Sequence, residues 1–127
     1  NRLDQLPKWA GGSASFNPEH YKLSNIPSEF IIQEKVQCIT LSELIEKNKI
    51  KQLDLLQIDT EGYDAEILKN LNVLSTKPSI IRFEHGYMDE IMNTEKIHEI
   101  FSLLNQKGYQ IIVESYDATA YLPFNFI

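Results

Sequence analysis

Three apolar runs alternate with helical patterns over residues 54–114 of the chain. The first run ends at Asp59, the second covers residues 79–85 and the third covers residues 109–114. In the segments between them, apolar residues recur at helical spacing: Ile67, Leu68 and Leu71 in the first, and Ile97, Ile100, Phe101 and Leu104 in the second. Strands that alternate with helices are typical of α/β folds with right-handed crossovers between parallel strands.

Other sequence patterns predict a strand and a helix before this alternating region. Alternating residues over 34–39 predict a further strand, with Val36 and Cys38 on its apolar side. Thr40 and Glu43 form a capping-box pattern at the start of a helix that runs to about Asn48.

The ends of the later helices carry their own signals. Either Thr60 or Asp64 is expected to cap the helix after the first run, and Asn93 or Thr94 the following one. Gly108 occupies the position of a C′ glycine.

The end of the chain predicts an antiparallel strand pair. Residues 109–114 and 120–124 are apolar and are separated by a short turn near Asp117. The predicted sheet is therefore mostly parallel, with an antiparallel pair at its C-terminal end. Residues 1–127 are expected to form one domain, which residues 1–30, rich in turn signals, cover as an irregular segment.

Composition and charge narrow the classes of function. A net charge of −6 without a basic run makes nucleic acid a poor candidate partner. No apolar run approaches the roughly 20 residues of a membrane span, and the first residues show no signal-peptide pattern. The single cysteine, Cys38, excludes an internal disulfide, is expected to be an inert, half-buried thiol, and fits a cytoplasmic location. The chain begins at Asn1 and not at Met, which is compatible with a piece of a larger protein.

Acidic residues follow two consecutive predicted strands. Asp59 and Glu61 come after the first, while Glu84 and His85 come at the end of the second. Carboxyl ends of neighbouring parallel strands meet at one edge of the sheet, where open α/β sheets bind ligands. We therefore expect these four side chains to lie near one another, where they could share a proton, bind a hard cation or hold ligand hydroxyls.

Structural roles for the same residues have to be weighed against a site. Asp59 and Glu61 could merely serve the N-terminus of the next helix, and Glu84 could pair with Arg82, which points to the same sheet face. For each acid alone, the structural and the functional interpretation are equally supported. Four titratable residues on adjacent strands together favour a functional site. His20 and His98 are more simply interpreted as structural or surface residues.

Phosphate-binding loops are absent from the sequence. The chain contains neither G-x-G-x-x-G nor G-x-x-x-x-G-K-[ST], and no predicted strand runs into a glycine-rich turn. The chain alone therefore carries no recognisable loop for a nucleotide-like ligand.

Several segments together resemble the carboxyl half of FkbM-type methyltransferases. They are CITLSEL at 38–44, LDLLQIDTEG at 53–62, IL at 67–68 and IIRFEH at 80–85. The stretch LPKWA at 6–10, with Ser15, Phe16 and His20, also resembles the stretch that precedes these segments in some members. The family pattern is a T-L-D-E-L-like segment, an I-D-x-E-G-x-E strand end with a following V-L, and an I-x-x-E strand. This chain departs from it at Ser42 and Asp64, and it lacks the family's first three strands with their glycine-bearing loop.

The resemblance implies a three-layer, Rossmann-like, S-adenosylmethionine-dependent methyltransferase, usually acting on a hydroxyl oxygen of a small molecule or glycan. It implies that Asp59, Glu61, Glu84 and His85 form the catalytic set, with Asp59 and Thr60 near the cofactor. Glu84 or His85 would be the general base, and the unperturbed pKa of histidine favours His85. A divalent cation joining Asp59 and Glu84 is a variant of this mechanism.

Two other classes of function remain open. A half sheet without a cofactor loop could be a non-catalytic binding or assembly module, whose exposed edge would favour a homodimer. The acid cluster could instead serve a metal-dependent hydrolase, which would cleave a phosphoester with added Mg²⁺ or Mn²⁺.

Overall fold

The computed structural model describes residues 6–74, 76–89 and 91–123 and contains four helices and four strands in these ranges. In chain order they are α1 (His20–Leu23), α2 (Leu41–Lys47), β1 (Leu55–Ile58), α3 (Asp64–Lys69), β2 (Ile80–Glu84), α4 (Thr94–Gln106), β3 (Gln110–Val113) and β4 (Asp117–Tyr121). Short 3-10 turns lie at Lys8–Gly12, Ser28–Phe30, Asn70–Val73 and Tyr87–Asp89.

The four strands form one open sheet in the order β1-β2-β4-β3. β1 and β2 are parallel, whereas β4 lies antiparallel to both of its neighbours. The predicted antiparallel pair is therefore confirmed, although its second strand begins at Asp117 and not at Ala120. The predicted end of that strand at Phe124 lies outside the described residues. Because only one of the three strand pairs is parallel, a mostly parallel sheet is not confirmed.

The hydrophobic core lies on one face of this sheet, beneath α3 and α4. Register places Ile58 beside Phe83, and Phe83 beside Ala118, so that alternate residues of three strands share this face. Phe83 and Ala118 are at most 1% exposed, and the helical stripes contribute Leu68, Ile100 and Leu104, all fully buried. The predicted core faces of both helices are confirmed.

The other face of the sheet is open. Leu55, Ile80 and Ile112 are 51%, 41% and 56% exposed although they belong to strands. These residues alternate with the buried ones, so they point away from α3 and α4. Within the described ranges, helices contribute to the core on one face, and the three-layer arrangement is not confirmed.

Local signals placed most helix ends correctly. Thr40 Oγ1 accepts the Glu43 amide at 3.1 Å while Glu43 Oε2 accepts the Thr40 amide at 2.7 Å, which completes the predicted capping box. Asn93 Oδ1 accepts the Lys96 amide at 2.9 Å and so caps α4. Gly108 follows α4 with a φ of 88°, as expected of a C′ glycine.

Two local predictions are wrong. Residues 31–40 form no strand, because no neighbouring strand pairs with them in the described part of the chain, and all of them are exposed. Cys38 is accordingly exposed and not half-buried. The described helices include none with the length and apolarity that crossing a membrane requires.

Candidate functional site

The carboxyl ends of β1 and β2 bring three of the four predicted acidic and basic residues together. Asp59 and Glu61 lie in the loop between β1 and α3, and Glu84 is the last residue of β2. Because these strands pair in parallel, with Ile58 beside Phe83, both ends open at the same edge. Desolvation is the largest cause that raises the pKa of Asp59 and of Glu84, and repulsion among the carboxylates adds to it.

Asp64 holds the two strand ends at their spacing. This carboxylate is fully buried in the first turn of α3. Its Oδ2 accepts hydrogen bonds from the Thr60 amide at 3.1 Å and from the Thr60 hydroxyl at 2.6 Å, while its Oδ1 accepts the Glu84 amide at 3.2 Å. Asp64 therefore joins the loop after β1 to the end of β2. The prediction that Thr60 or Asp64 caps α3 is wrong, because the N-cap is Tyr63 and has no side-chain hydrogen bond.

Glu84 is the most perturbed acid of the site. Partial burial is the largest cause that raises its pKa to about 7, and repulsion from Glu61, Asp59, Asp64 and Asp117 adds to it. Its Oε2 is buried without a hydrogen-bond partner in the described residues. Desolvation followed by the charge of Glu61 also raises the pKa of Asp59, whose side chain is more exposed. Glu84 is therefore suited to accept a proton near neutral pH.

Glu61 anchors the N-terminal segment to this loop. Its backbone has a φ of 51°, in the left-handed region that non-glycine residues seldom adopt. Ser13 Oγ donates to Glu61 Oε1 at 3.1 Å, and Ser15 Oγ donates to the Glu61 carbonyl at 2.6 Å. The rings of Phe16 and Tyr63 meet beside these bonds, with their centroids 5.1 Å apart.

His20 reaches the same carboxylate from α1. It is only 8% exposed, and its Nε2 lies 3.1 Å from Glu61 Oε2. Although the two atoms are close, Nε2 has no hydrogen-bond partner in the described ranges. The proximity is electrostatic when the imidazole is protonated and is a close polar contact otherwise.

His85 does not join the acids. Its Nδ1 accepts the Tyr87 amide at 3.2 Å and its Nε2 lies 3.1 Å from the Glu114 carbonyl, which fixes the proton on Nε2. The side chain borders a groove of about 250 Å³ that His98 and Val113 also line. Strand alternation explains the separation, because consecutive residues point to opposite faces. Glu84 and His85 therefore face different surroundings.

Arg82 does not neutralise the cluster. Its guanidinium binds Glu114 at 2.6 Å and Asp117 at 2.8 Å, and it also donates to the Thr119 hydroxyl at 3.2 Å. These partners lie on β4 and just after β3, so the charge of Arg82 is directed across the sheet and away from the loop after β1. The acids of the site are left without a basic partner that lowers the pKa of Glu84.

A metal centre gains no support from the geometry. In residues 6–74, 76–89 and 91–123, no group of three or more His, Cys, Asp or Glu side chains is arranged to hold a metal ion. The variant with a cation between Asp59 and Glu84 needs no third protein ligand and stays a prediction.

The sequence patterns missed two contributors to the site. Asp64 was expected to serve α3 alone, although its position four residues after Thr60 leaves it close to the strand end. His20 was expected to be able to reach this edge but was interpreted as structural or surface, and its contact with Glu61 joins residues 41 positions apart.

One of the comparisons with known proteins identifies a family. Residues 5–111 match the family model described as the methyltransferase FkbM domain. A protein of Xanthomonas oryzae pv. oryzae named elongation factor Ts is 28% identical over 111 residues, which cover 83% of this chain and 35% of that protein. The elongation factor Ts of Xanthomonas euvesicatoria pv. vesicatoria is 33% identical over 60 residues, or 47% of this chain and 20% of that protein.

These relatives match only in part. The chain spans about a third of the length of the Xanthomonas oryzae proteins that it matches. No solved structure gives a significant match.

Proposed function

The chain belongs to the FkbM methyltransferase domain family, and we propose that it forms the acceptor side of an S-adenosylmethionine-dependent O-methyltransferase. One observation carries the proposal: Glu84, at the ligand edge of the sheet, has a pKa of about 7 and a buried, unpartnered carboxylate oxygen. An acid with these properties can remove a proton from a hydroxyl at neutral pH. The acceptor would be a hydroxyl of a small molecule or glycan, methylated in the cytoplasm.

Glu84 acts as the general base in this mechanism. The carboxylate of Glu84 would take the proton of the acceptor hydroxyl and so make its oxygen a better nucleophile. S-adenosylmethionine, when bound, supplies an electrophilic methyl group on a positively charged sulfur. Asp59 and Glu61 would place negative charge beside the positively charged sulfur of a bound methyl donor. His85 is the weaker candidate, since both of its ring nitrogens bond to the backbone.

Charge at this edge supports assigning part of the cofactor site to it. Asp59 and Thr60 follow β1 directly. Desolvation raises the pKa of Asp59, and the charges of Glu61 and Asp64 raise it further. The negative charge at this position is therefore not neutralised. A cationic ligand would relieve that repulsion. The sequence contains no glycine-rich loop after a strand, so we assign only this side of the cofactor site to the chain.

Topology supports assignment to the carboxyl half of the family's domain. An antiparallel strand, β4, lies between β2 and β3, so the last strand pairs with the one before it. The resemblance implies the same arrangement for the family's last two strands. β1 would then continue the sheet into the other half, and its outer edge has no strand partner within the described ranges.

Substitution of the base tests the mechanism. Glu84→Gln keeps the size of the side chain but cannot accept the proton, so kcat should fall by about 100-fold or more. The matched control is Glu95→Gln, on the exposed first turn of α4, which should leave kcat unchanged. Transfer of labelled methyl from S-adenosylmethionine to a panel of hydroxyl acceptors, by the longest protein that the coding sequence encodes, measures both. Equal activity of the two variants contradicts the role of Glu84.

Calorimetry tests whether this chain holds only one side of the cofactor site. The 127-residue chain should bind S-adenosylmethionine weakly or not at all, because most cofactor contacts are assigned elsewhere. Binding in the micromolar range would show that this assignment is wrong. A strand ending in D-x-G-x-x-x-G encoded upstream of Asn1 would support it.

The second candidate is a non-catalytic assembly module, which the free edge of β1 favours. Within the described strands β1 pairs only with β2, and Leu55 is 51% exposed. Pairing of two β1 edges would satisfy these backbone groups and form a homodimer. Sedimentation should then give a dimer that Gln57→Pro converts to a monomer, because proline removes a ladder donor. A well-folded wild-type monomer contradicts the dimer.

A further inference from the structure

Glu84 has an acidic neighbour directly across the sheet. Asp117, the first residue of β4, lies opposite Glu84 in the antiparallel pair. The Glu84 amide donates to Asp64 and not to β4, whereas the next amide, that of His85, donates to the Tyr116 carbonyl. Glu84 and Asp117 are therefore a non-hydrogen-bonded pair, whose Cα atoms are typically about 4.5 Å apart and whose side chains share one face.

Arg82 binds this neighbour from the same strand as Glu84. It lies two residues before Glu84 on β2, so both side chains emerge on one face of the sheet. Its Nη2 donates to Asp117 Oδ2 at 2.8 Å, and its Nη1 donates to the hydroxyl of Thr119, the residue opposite Arg82, at 3.2 Å. A second carboxylate, that of Glu114, accepts from Nη1 at 2.6 Å. The guanidinium is thus held across β4 with Asp117 as one of its two charged partners.

The charges that face Glu84 differ in how they are paired. Desolvation is the largest cause that raises the pKa of Glu84, and repulsion from four carboxylates adds to it: Glu61, Asp59, Asp64 and Asp117. The first three come from the loop after β1 and from α3, and the fourth comes from β4. Among the four, Asp117 is the one that pairs with an arginine or lysine in the described part of the chain.

We propose that Arg82 is a positioning residue for Glu84 and acts through Asp117, whose carboxylate it holds on β4 and neutralises beside the candidate base. The inference rests on the proposed function, in which Glu84 takes the proton of an acceptor hydroxyl. An unpaired carboxylate beside Glu84 favours its protonated form, and a protonated Glu84 cannot take that proton. Arg82 therefore keeps a larger share of Glu84 ionised near neutral pH.

Titration of the Glu84 carboxyl signal by nuclear magnetic resonance tests the inference on the 127-residue chain without methyl transfer. Arg82→Gln should raise the pKa of Glu84 by about 0.5 pH unit, because it leaves the charge of Asp117 unpaired. Asp117→Asn removes that charge and should lower the pKa of Glu84. The matched control is Glu114→Gln, which breaks the other ion pair of Arg82 and should leave the pKa of Glu84 in place. Equal movement in Glu114→Gln and Asp117→Asn overturns the inference.

The double variant separates an effect through Asp117 from a direct effect of Arg82. Arg82→Gln should change nothing further once Asp117 is Asn, so the double variant should titrate like Asp117→Asn. An equal rise from Arg82→Gln in both backgrounds shows that Arg82 acts directly and overturns the inference. An unchanged pKa of Glu84 in Asp117→Asn also overturns it, and this smaller substitution decides the matter if Arg82→Gln does not fold.

The pH dependence of kcat separates this inference from the proposed function. In the active methyltransferase, Arg82→Gln should move the acidic limb of the profile to higher pH and keep the plateau. Loss of a merely structural contact would lower the plateau and leave the limb in place, which overturns the positioning role. An unmoved pKa of Glu84 in every variant overturns the inference and leaves the methyltransferase assignment standing. A moved pKa with an unmoved limb supports the coupling to Asp117 and contradicts Glu84 as the base.

Discussion

Asp64 Oδ1 accepts the backbone N–H of Glu84 at 3.2 Å, and this bond joins the two strand ends that carry the candidate acids. The other oxygen of Asp64 binds the amide and the hydroxyl of Thr60. A fully buried carboxylate with three hydrogen bonds is thus both a structural and a positioning group. Removal of the Asp64 carboxylate should therefore lower the stability of the fold before it changes the chemistry at the site.

Asp64→Ala should lower the free energy of unfolding by about 3 kcal/mol, because it leaves buried donors unsatisfied. Asp64→Asn should cost less, about 1 kcal/mol, since its amide oxygen can still accept. Urea denaturation measures both. Asp54→Asn is the control, because Asp54 is exposed and its only described hydrogen bond is to the Gln52 side chain. A loss in Asp64→Ala no greater than in Asp54→Asn would contradict the structural role.

Glu84 should make stability fall as the pH rises. Its pKa is raised from the ordinary 4.5 to about 7 in the folded chain, so between these values the unfolded chain has released a proton that the folded chain keeps. The free energy of unfolding therefore decreases across this window. Glu84→Gln removes the effect and should gain stability relative to the wild type between pH 4.5 and pH 7. The urea denaturation midpoints of the wild type and Glu84→Gln, at pH 4.5 and at pH 7, measure this gain. A difference between the two proteins that is the same at both pH values contradicts the raised pKa of Glu84.

Gly86 should not tolerate a side chain. It follows β2 with a φ of 49°, and a Cβ there would lie 2.5 Å from Ile91 Cδ1 and 2.6 Å from Ile91 Cβ. Gly86→Ala should therefore destabilise the fold by about 2 kcal/mol through strain and overpacking. Gly11→Ala is the matched control, since a Cβ at Gly11 meets nothing within 4 Å. Thermal unfolding of the two variants compares them, and equal midpoints would contradict the contact with Ile91.

Ser15 should hold the N-terminal segment on the site. Ser15→Ala loses the 2.6 Å bond to the Glu61 carbonyl and should weaken docking of the segment by about 1 kcal/mol. Limited proteolysis should then cut residues 6–30 faster. Ser28→Ala, at an exposed residue of a 3-10 turn, is the control. Unchanged cleavage in Ser15→Ala would show that this bond does not hold the segment.

Local sequence patterns predicted the parts of the fold that local physics determines. The capping box of Thr40, the cap at Asn93 and the buried stripe of α4 each depend on residues within one or two helical turns. The parallel pairing of β1 and β2 followed from the alternation of strands and helices. These features brought Asp59, Glu61 and Glu84 to one edge.

The remaining features depend on contacts that sequence spacing does not contain. The strand predicted at 34–39 had the right alternation but has no neighbour to pair with in the described ranges. Asp64 lies inside α3 and not at its cap, because Thr60 and Glu84 offer it three donors. His85 was grouped with Glu84 by position, although alternation along a strand directs consecutive residues to opposite faces.

The position of β4 has a consequence for synthesis. β4 follows β2 and β3 in the chain but lies between them in the sheet, and it contributes the fully buried Ala118 and Ala120. Until Tyr121 has left the exit tunnel, β2 and β3 are separated by an unfilled gap. This sheet therefore cannot form completely during translation before β4 has been made, and a nascent chain stopped before Asp117 exposes to chaperones the edges of β2 and β3 that β4 would cover.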